Sequence, residues 1–129
     1  MRERYSGRVQ LRRDVSLAPH TTLGLGGPAR WFVEATQHDE LREALAWAAE
    51  NSTDVRLLSG GSNLVVADEG CPELVIAVGL RGRRVEERAG RVYLRAAAGE
   101  PWDALVAWTV EQGWAGLECL SGIPGLVGA

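Results

Sequence analysis

VRLLSGGSNLVVAD, residues 55–68, holds two glycines between two apolar runs. Val55 to Leu58 reads as a short strand, Ser59-Gly60-Gly61-Ser62-Asn63 as a loop, and Leu64 to Ala67 as a second strand. A plain hairpin fits this pattern, and so does a loop that wraps a phosphate. Glycine reaches φ > 0 and lets backbone approach a ligand closely. Successive N–H groups in such a turn converge into an anion nest, to which Ser62 and Asn63 add side-chain donors. The loop carries no Lys, which a Walker A loop needs. It also lacks G-x-G-x-x-G, and the element expected after it is a strand, so the helix-dipole mechanism of a Rossmann turn does not apply. Taken alone, the stretch leaves turn and cradle both open. A second glycine-rich segment, SGIPGLVG at 121–128, shifts the balance. The two could close on opposite sides of one extended ligand, such as a dinucleotide.

The bulk numbers bound the rest. A chain of 129 residues suits one domain with a real core. Hydrophobic residues at 46% and charged residues at 24% indicate a soluble globular protein. A net charge of −3 argues against a nucleic-acid partner. No apolar run approaches the ~20 residues of a membrane span, and the charged N-terminus has no apolar signal region. Cys71 and Cys119 are expected as free thiols. His20 and His38 share no metal-ligand spacing with them, so neither a metal site nor a nucleophile is predicted.

Residues 1–19 are expected to form an N-terminal arm or a short helix, and residues 20–129 a single domain. Arg30 to Glu34 reads as a strand. A helix over 37–50 follows, capped by Thr36 with Asp39, its buried stripe being Leu41, Ala44, Leu45, Ala48 and Ala49. With Val55–Leu58 this makes a βαβ unit, whose two strands should be parallel. LVIAV at 74–78 reads as a buried strand. Val85–Arg88 and Val92–Ala96 flank Ala89-Gly90 as a hairpin. Arg81, Arg83 and Arg84 read as its solvated face or as a phosphate contact. Pro101 opens a second helix with a stripe of Trp102, Leu105, Val106, Thr109 and Val110, and Gly113 stops it. Trp102, Trp108 and Trp114 read as packing. The fold class is α/β (α+β), a βαβ start followed by a mixed sheet.

HTTLGLGGPARWFVEA at 20–35, LLSGGSNLVVADEG at 57–70 and GLECLSGIPGLVGA at 116–129 together resemble the UDP-N-acetylenolpyruvoylglucosamine reductase (UDP-N-acetylmuramate dehydrogenase) family. The combination of GGSN with GIPG-x-VG is more specific than either piece. The resemblance implies a vanillyl-alcohol-oxidase/PCMH-type FAD-binding domain in a cytoplasmic flavoenzyme of peptidoglycan synthesis, and so of cell wall biogenesis, cell shape and cell division. NADPH would be the electron donor and a UDP-sugar the substrate, with no nucleic-acid or membrane partner. Carried over motif by motif, Ser59, Gly60, Gly61, Ser62, Asn63 and Leu64 would hold the FAD pyrophosphate. Ile123, Pro124, Gly125, Gly128 and Ala129 would line the flavin side. Two departures accompany this. The family's catalytic arginine, serine and glutamate lie beyond residue 129, so no catalytic residue is carried over. The chain is thus expected to be the N-terminal part of such an enzyme, incomplete in its FAD domain, inactive and unstable alone. The loop also holds no His to tether a flavin, so FAD should be non-covalent. Two alternatives stay open: another FAD-dependent oxidase or dehydrogenase of the same fold, or a non-catalytic domain with structural glycine loops.

Overall fold

The computed structural model describes the backbone of residues 2–4 and all of residues 9–129; the remainder of the expected arm lies outside the described residues. Strands β1 (Arg2–Arg4), β2 (Gln10–Ser16), β3 (Pro28–Ala35), β4 (Val55–Leu58) and β5 (Cys71–Val78) form one sheet in the order β1-β2-β3-β5-β4. The β1–β2 and β2–β3 pairs are antiparallel, and β5 is parallel to both β3 and β4. The βαβ expectation therefore holds in direction but not in adjacency. LVIAV lies between the two strands, because the most apolar strand gains most from neighbours on both edges.

Pleating splits this sheet into two buried faces. Val33, Ala35, Leu74 and Ile76 face helix α1 (His38–Glu50), meeting Ala44, Trp47 and Ala48. Phe32, Ala29 and Val75 face the opposite side, where Leu17 and Leu58 close a second core cluster. Phe32 and Ile76 are fully buried, each contributing roughly 2–3 kcal/mol of hydrophobic stabilisation.

Four local expectations need correction. Gln10–Ser16, within the segment read as an arm or short helix, is a strand of the main sheet. Its periodicity is masked by arginine: the Arg12 guanidinium lies 4.7 Å from the Phe32 ring centroid, and that of Arg13 4.1 Å from Trp31. These stems cover aromatic surface that apolar residues would ordinarily cover. The N-cap of α1 is Gln37 rather than Thr36, and its partner is Glu40 rather than Asp39. Glu40 Oε2 accepts the N–H groups of Thr36 (2.8 Å) and Gln37 (3.0 Å), the reciprocal bonding of a capping box. Trp47, packed edge-on against Trp31 at 4.8 Å, takes the buried place expected of Leu45 and Ala49, which are exposed. Finally, Leu64 to Ala67 is not a strand but an irregular segment. Its bonds go to turns, as where Ala67 O accepts the N–H of Gly27 and of Gly70.

Strands β6 (Arg83–Arg88) and β7 (Arg91–Ala96) form a separate two-stranded hairpin. Ala89 (φ 50°) and Gly90 (φ 73°) supply the two positive φ angles of its tight turn. Helix α2 (Trp102–Glu111) ends in a Schellman motif: Gly113 N–H donates to Val110 O (2.9 Å) and Trp114 N–H to Thr109 O (3.0 Å). Leu105, Val106 and Thr109 are its buried stripe, whereas Val110 is exposed. The hairpin is tied to α2 by Arg83, which bonds Glu100 Oε2 (2.9 Å) and lies 5.1 Å from the Trp108 ring.

Cys71 and Cys119 are both free thiols. Cys71 opens β5 and donates to Glu73 Oε2 (2.8 Å), while Arg56 donates to Glu73 Oε1 (2.9 Å). Burial, and then this bond, push the thiol pKa up. The Cys71 bond, with help from the backbone and Arg56, lowers the Glu73 carboxyl from 4.5 to about 2. A carboxyl depressed on folding stabilises the protein above its unfolded pKa, and that stability is lost as pH falls through the folded one. Stability should therefore decline between pH 4.5 and about 2. Glu73→Gln should flatten this part of a Tm–pH curve, and an unchanged acid limb would show the carboxylate contributes nothing.

Candidate functional site

The Ser59–Asn63 loop leaves the C-terminal end of β4, at the edge of the parallel strands. Gly61 is buried in the left-handed region, φ 68°. A Cβ on it would stand 2.1 Å from His20 O and 2.9 Å from Thr21 Cα. Its open side is therefore filled by protein backbone, and Thr22 N–H donates to Gly61 O (3.0 Å) to fix the contact. The back wall is itself braced. Thr21 is buried, and its hydroxyl bonds Leu25 O (2.8 Å) and accepts Leu25 N–H (3.2 Å).

Gly60 behaves differently. It is exposed, its φ is not positive, and a Cβ there would meet only Gly125 Cα (3.7 Å) and Leu126 Cγ (3.8 Å). A Cβ on Gly125 would in turn stand 3.6 Å from both Ser62 Oγ and Ala129 Cβ. The two glycine-rich segments thus meet at van der Waals distance, Gly60 and Ser62 against Gly125.

The second segment is anchored from behind. Val127 N–H donates to Glu100 O and Gly128 N–H to Ala98 O, both at 2.9 Å. A Cβ on Gly128 would lie 2.7 Å from Ala98 Cβ, so the position accepts only glycine without movement. The Glu100 carboxylate accepts Gly82 N–H (2.8 Å) and the Arg83 guanidinium, and these bonds lower its pKa.

The unpartnered donors of the loop suit an anion. Among the described residues, no backbone acceptor takes the N–H groups of Gly60, Gly61, Ser62 or Asn63. Ser59 Oγ is buried and has no hydrogen-bond partner there, a state that costs about 1–3 kcal/mol unless a ligand satisfies it. Gly61 in the left-handed region gives the alternating backbone of a nest. An orphaned buried hydroxyl, unclaimed amides and two apposed glycines fit a phosphate-bearing cofactor. Neither segment carries a cationic side chain, so the cradle is a neutral one.

The structure brings Gly60, Ser62, Gly125 and Ala129 together, with Gly61 and Gly128 as packing supports on either side. Ile123 and Pro124 are exposed on the turn between them. Leu64 instead lines a cavity of about 430 Å³ with Leu57, Val65, Arg56 and Cys71. A larger cavity, about 990 Å³, lies between the hairpin and α2, lined by Val92, Leu94, Trp102, Leu105 and Trp114. Arg91, Arg95 and Val127 also line it, and it shares no residue with the Ser59–Asn63 loop. His20–Thr22 is the part of the site that the residue-by-residue reading missed. Its signal was its place in HTTLGLGG, ahead of two glycines. Among the described residues, no group of three or more His, Cys, Asp or Glu side chains could hold a metal ion.

Comparison with known proteins shows the family and the fold. Residues 29–129 match the family described as FAD binding domain. The chain is 53% identical over 115 residues to the UDP-N-acetylenolpyruvoylglucosamine reductase of Saccharopolyspora erythraea, covering 88% of this chain and 31% of that protein. It is 45% identical over 126 residues to the enzyme of the same name from a Synechococcus strain, covering 97% and 39%. Among solved structures, the UDP-N-acetylenolpyruvylglucosamine reductase of Thermus caldophilus superposes with a TM-score of 0.66 at 34% identity, over 94% of this chain and 40% of that one. A solvent-stable cholesterol oxidase superposes at 0.64 with 18% identity, over 88% and 22%, a likeness of fold alone. The chain spans about a third of the length of these curated relatives. Its fold is the mixed α/β, PCMH-type arrangement expected from the motifs. The chain belongs to the FAD-binding domain family.

Proposed function

We propose that this chain is the FAD-binding portion of an NADPH-dependent reductase that converts UDP-N-acetylenolpyruvoylglucosamine to UDP-N-acetylmuramate in peptidoglycan synthesis, in the cytoplasm. The observation that carries the reading is the apposition of Gly60 and Ser62 with Gly125 and Ala129. Similarity to reductases of that name along nearly the whole chain supports the substrate.

FAD, when bound, supplies two-electron hydride chemistry. The residues of this chain bind and orient it. The N–H groups of Gly60, Gly61, Ser62 and Asn63, with the Ser59 hydroxyl, serve the pyrophosphate. Ile123, Pro124, Gly125, Gly128 and Ala129 shape the flavin side, where Gly125 admits the ring system close to backbone. No side chain here is assigned a catalytic role. Attachment is non-covalent: the loop holds no His, and the His20 ring packs at 4.7 Å against Phe32 rather than serving the cleft.

The test is purification of the full-length protein, with its flavin released by denaturation and identified. A yellow protein releasing one FAD per chain is expected. A colourless protein that cannot be reconstituted with FAD would return both glycine segments to a purely structural role.

A further inference from the structure

Two adjacent residues of α2 hold the SGIPG turn from behind. Asp103 Oδ1 accepts the Ser121 hydroxyl (2.8 Å) and the Gly122 N–H (2.7 Å). Trp102 Nε1–H donates to Leu120 O (2.8 Å), and Trp102 N–H donates to Gly125 O (3.1 Å). These four bonds span residues 120–125, the part of the segment that reaches the cleft.

The turn needs such restraint. Gly122 (φ 82°) and Gly125 (φ 116°) both lie at positive φ, and glycine has the most conformational freedom to lose on ordering. Ser121, Gly122, Ile123 and Pro124 are all exposed and lie outside the buried core clusters. The restraint also lies outside the core. Asp103 is exposed, and α2 holds its place through Leu105, Val106 and Thr109.

We propose that Trp102 and Asp103 are positioning residues for FAD: they hold the 120–125 turn against the Ser59–Asn63 loop, and cofactor affinity depends on that clamp. This rests on the reading of the glycine cleft as the FAD site. The clamp orders backbone before the ligand arrives, so its removal transfers an ordering cost to the binding step.

The experiment uses full-length protein stripped of flavin and titrated with FAD, with the Tm of each apo form measured alongside. Asp103→Ala removes the one acceptor of both bonds and should raise the FAD Kd about tenfold or more, with little change in Tm. Asp103→Asn keeps an Oδ1 acceptor and should restore the Kd to within about threefold. Trp102→Phe keeps most of the ring and deletes one donor, giving an intermediate loss and a second variant should Asp103→Ala fold poorly. Wild-type Kd in both Asp103→Ala and Trp102→Phe would overturn the proposal. So would equal impairment of Asp103→Ala and Asp103→Asn, because the geometry would then not be what matters. A wild-type protein that binds no FAD would overturn the cofactor reading itself, a result distinct from either of these.

Discussion

Gly61→Ala is expected to lower the stability of the full-length protein by about 3 kcal/mol or more, read as a fall in the urea midpoint and in soluble yield. Two costs add. The left-handed φ of 68° penalises any residue with a Cβ. That Cβ would also stand 2.1 Å from His20 O, a backbone atom that cannot swing aside. Moving His20 would disturb its ring contact with Phe32 and the braced turn that Thr21 holds. The loss of FAD in this variant would thus follow from collapse of the loop. A side chain at Gly61 would meet the backbone of His20 and Thr21. An unchanged urea midpoint would show that the loop is not seated on His20–Thr22.

Gly60→Val should give the opposite pattern. Its φ is unexceptional, and its Cβ would make ordinary contacts with Gly125 and Leu126. The fold should tolerate it, with Tm within roughly 3 °C of wild type. The branched side chain would occupy the seam where the two glycine segments meet, and FAD affinity should fall by about 100-fold or more, equivalent to about 2.7 kcal/mol. Stability lost at residue 61 and affinity lost at residue 60 would separate the two adjacent glycines by role. Normal FAD affinity in Gly60→Val would mean that the segments do not enclose the cofactor.

Elements that carry their own local logic were legible in the sequence. LVIAV had to be a buried strand, Ala89-Gly90 had to turn a hairpin, and Pro101 with Gly113 bounded a helix. Elements whose logic is tertiary were not. QLRRDVS reads as polar until its arginines are seen covering Phe32 and Trp31. Leu64–Ala67 reads as a strand, yet its Ala67 carbonyl serves two turns instead of a ladder. The insertion of β5 between β3 and β4 is a long-range choice that no local pattern states. The site divides in the same way. Both glycine segments were visible as motifs, but their apposition and the wall formed by His20–Thr22 depend on the chain returning from distant positions. So does the division of labour between Gly60 and Gly61, since identical residues differ only in what surrounds them.

The central claim is that the Ser59–Asn63 loop and the 121–129 segment close on the two sides of one FAD. The most direct measurement is a crystal structure of the full-length protein with FAD bound. The account predicts pyrophosphate oxygens about 3 Å from the Gly60–Asn63 amides and the Ser59 hydroxyl, with the flavin running along Ile123–Ala129. A dinucleotide seated instead in the cavity between the hairpin and α2, leaving Ser59 Oγ unsatisfied, would contradict it.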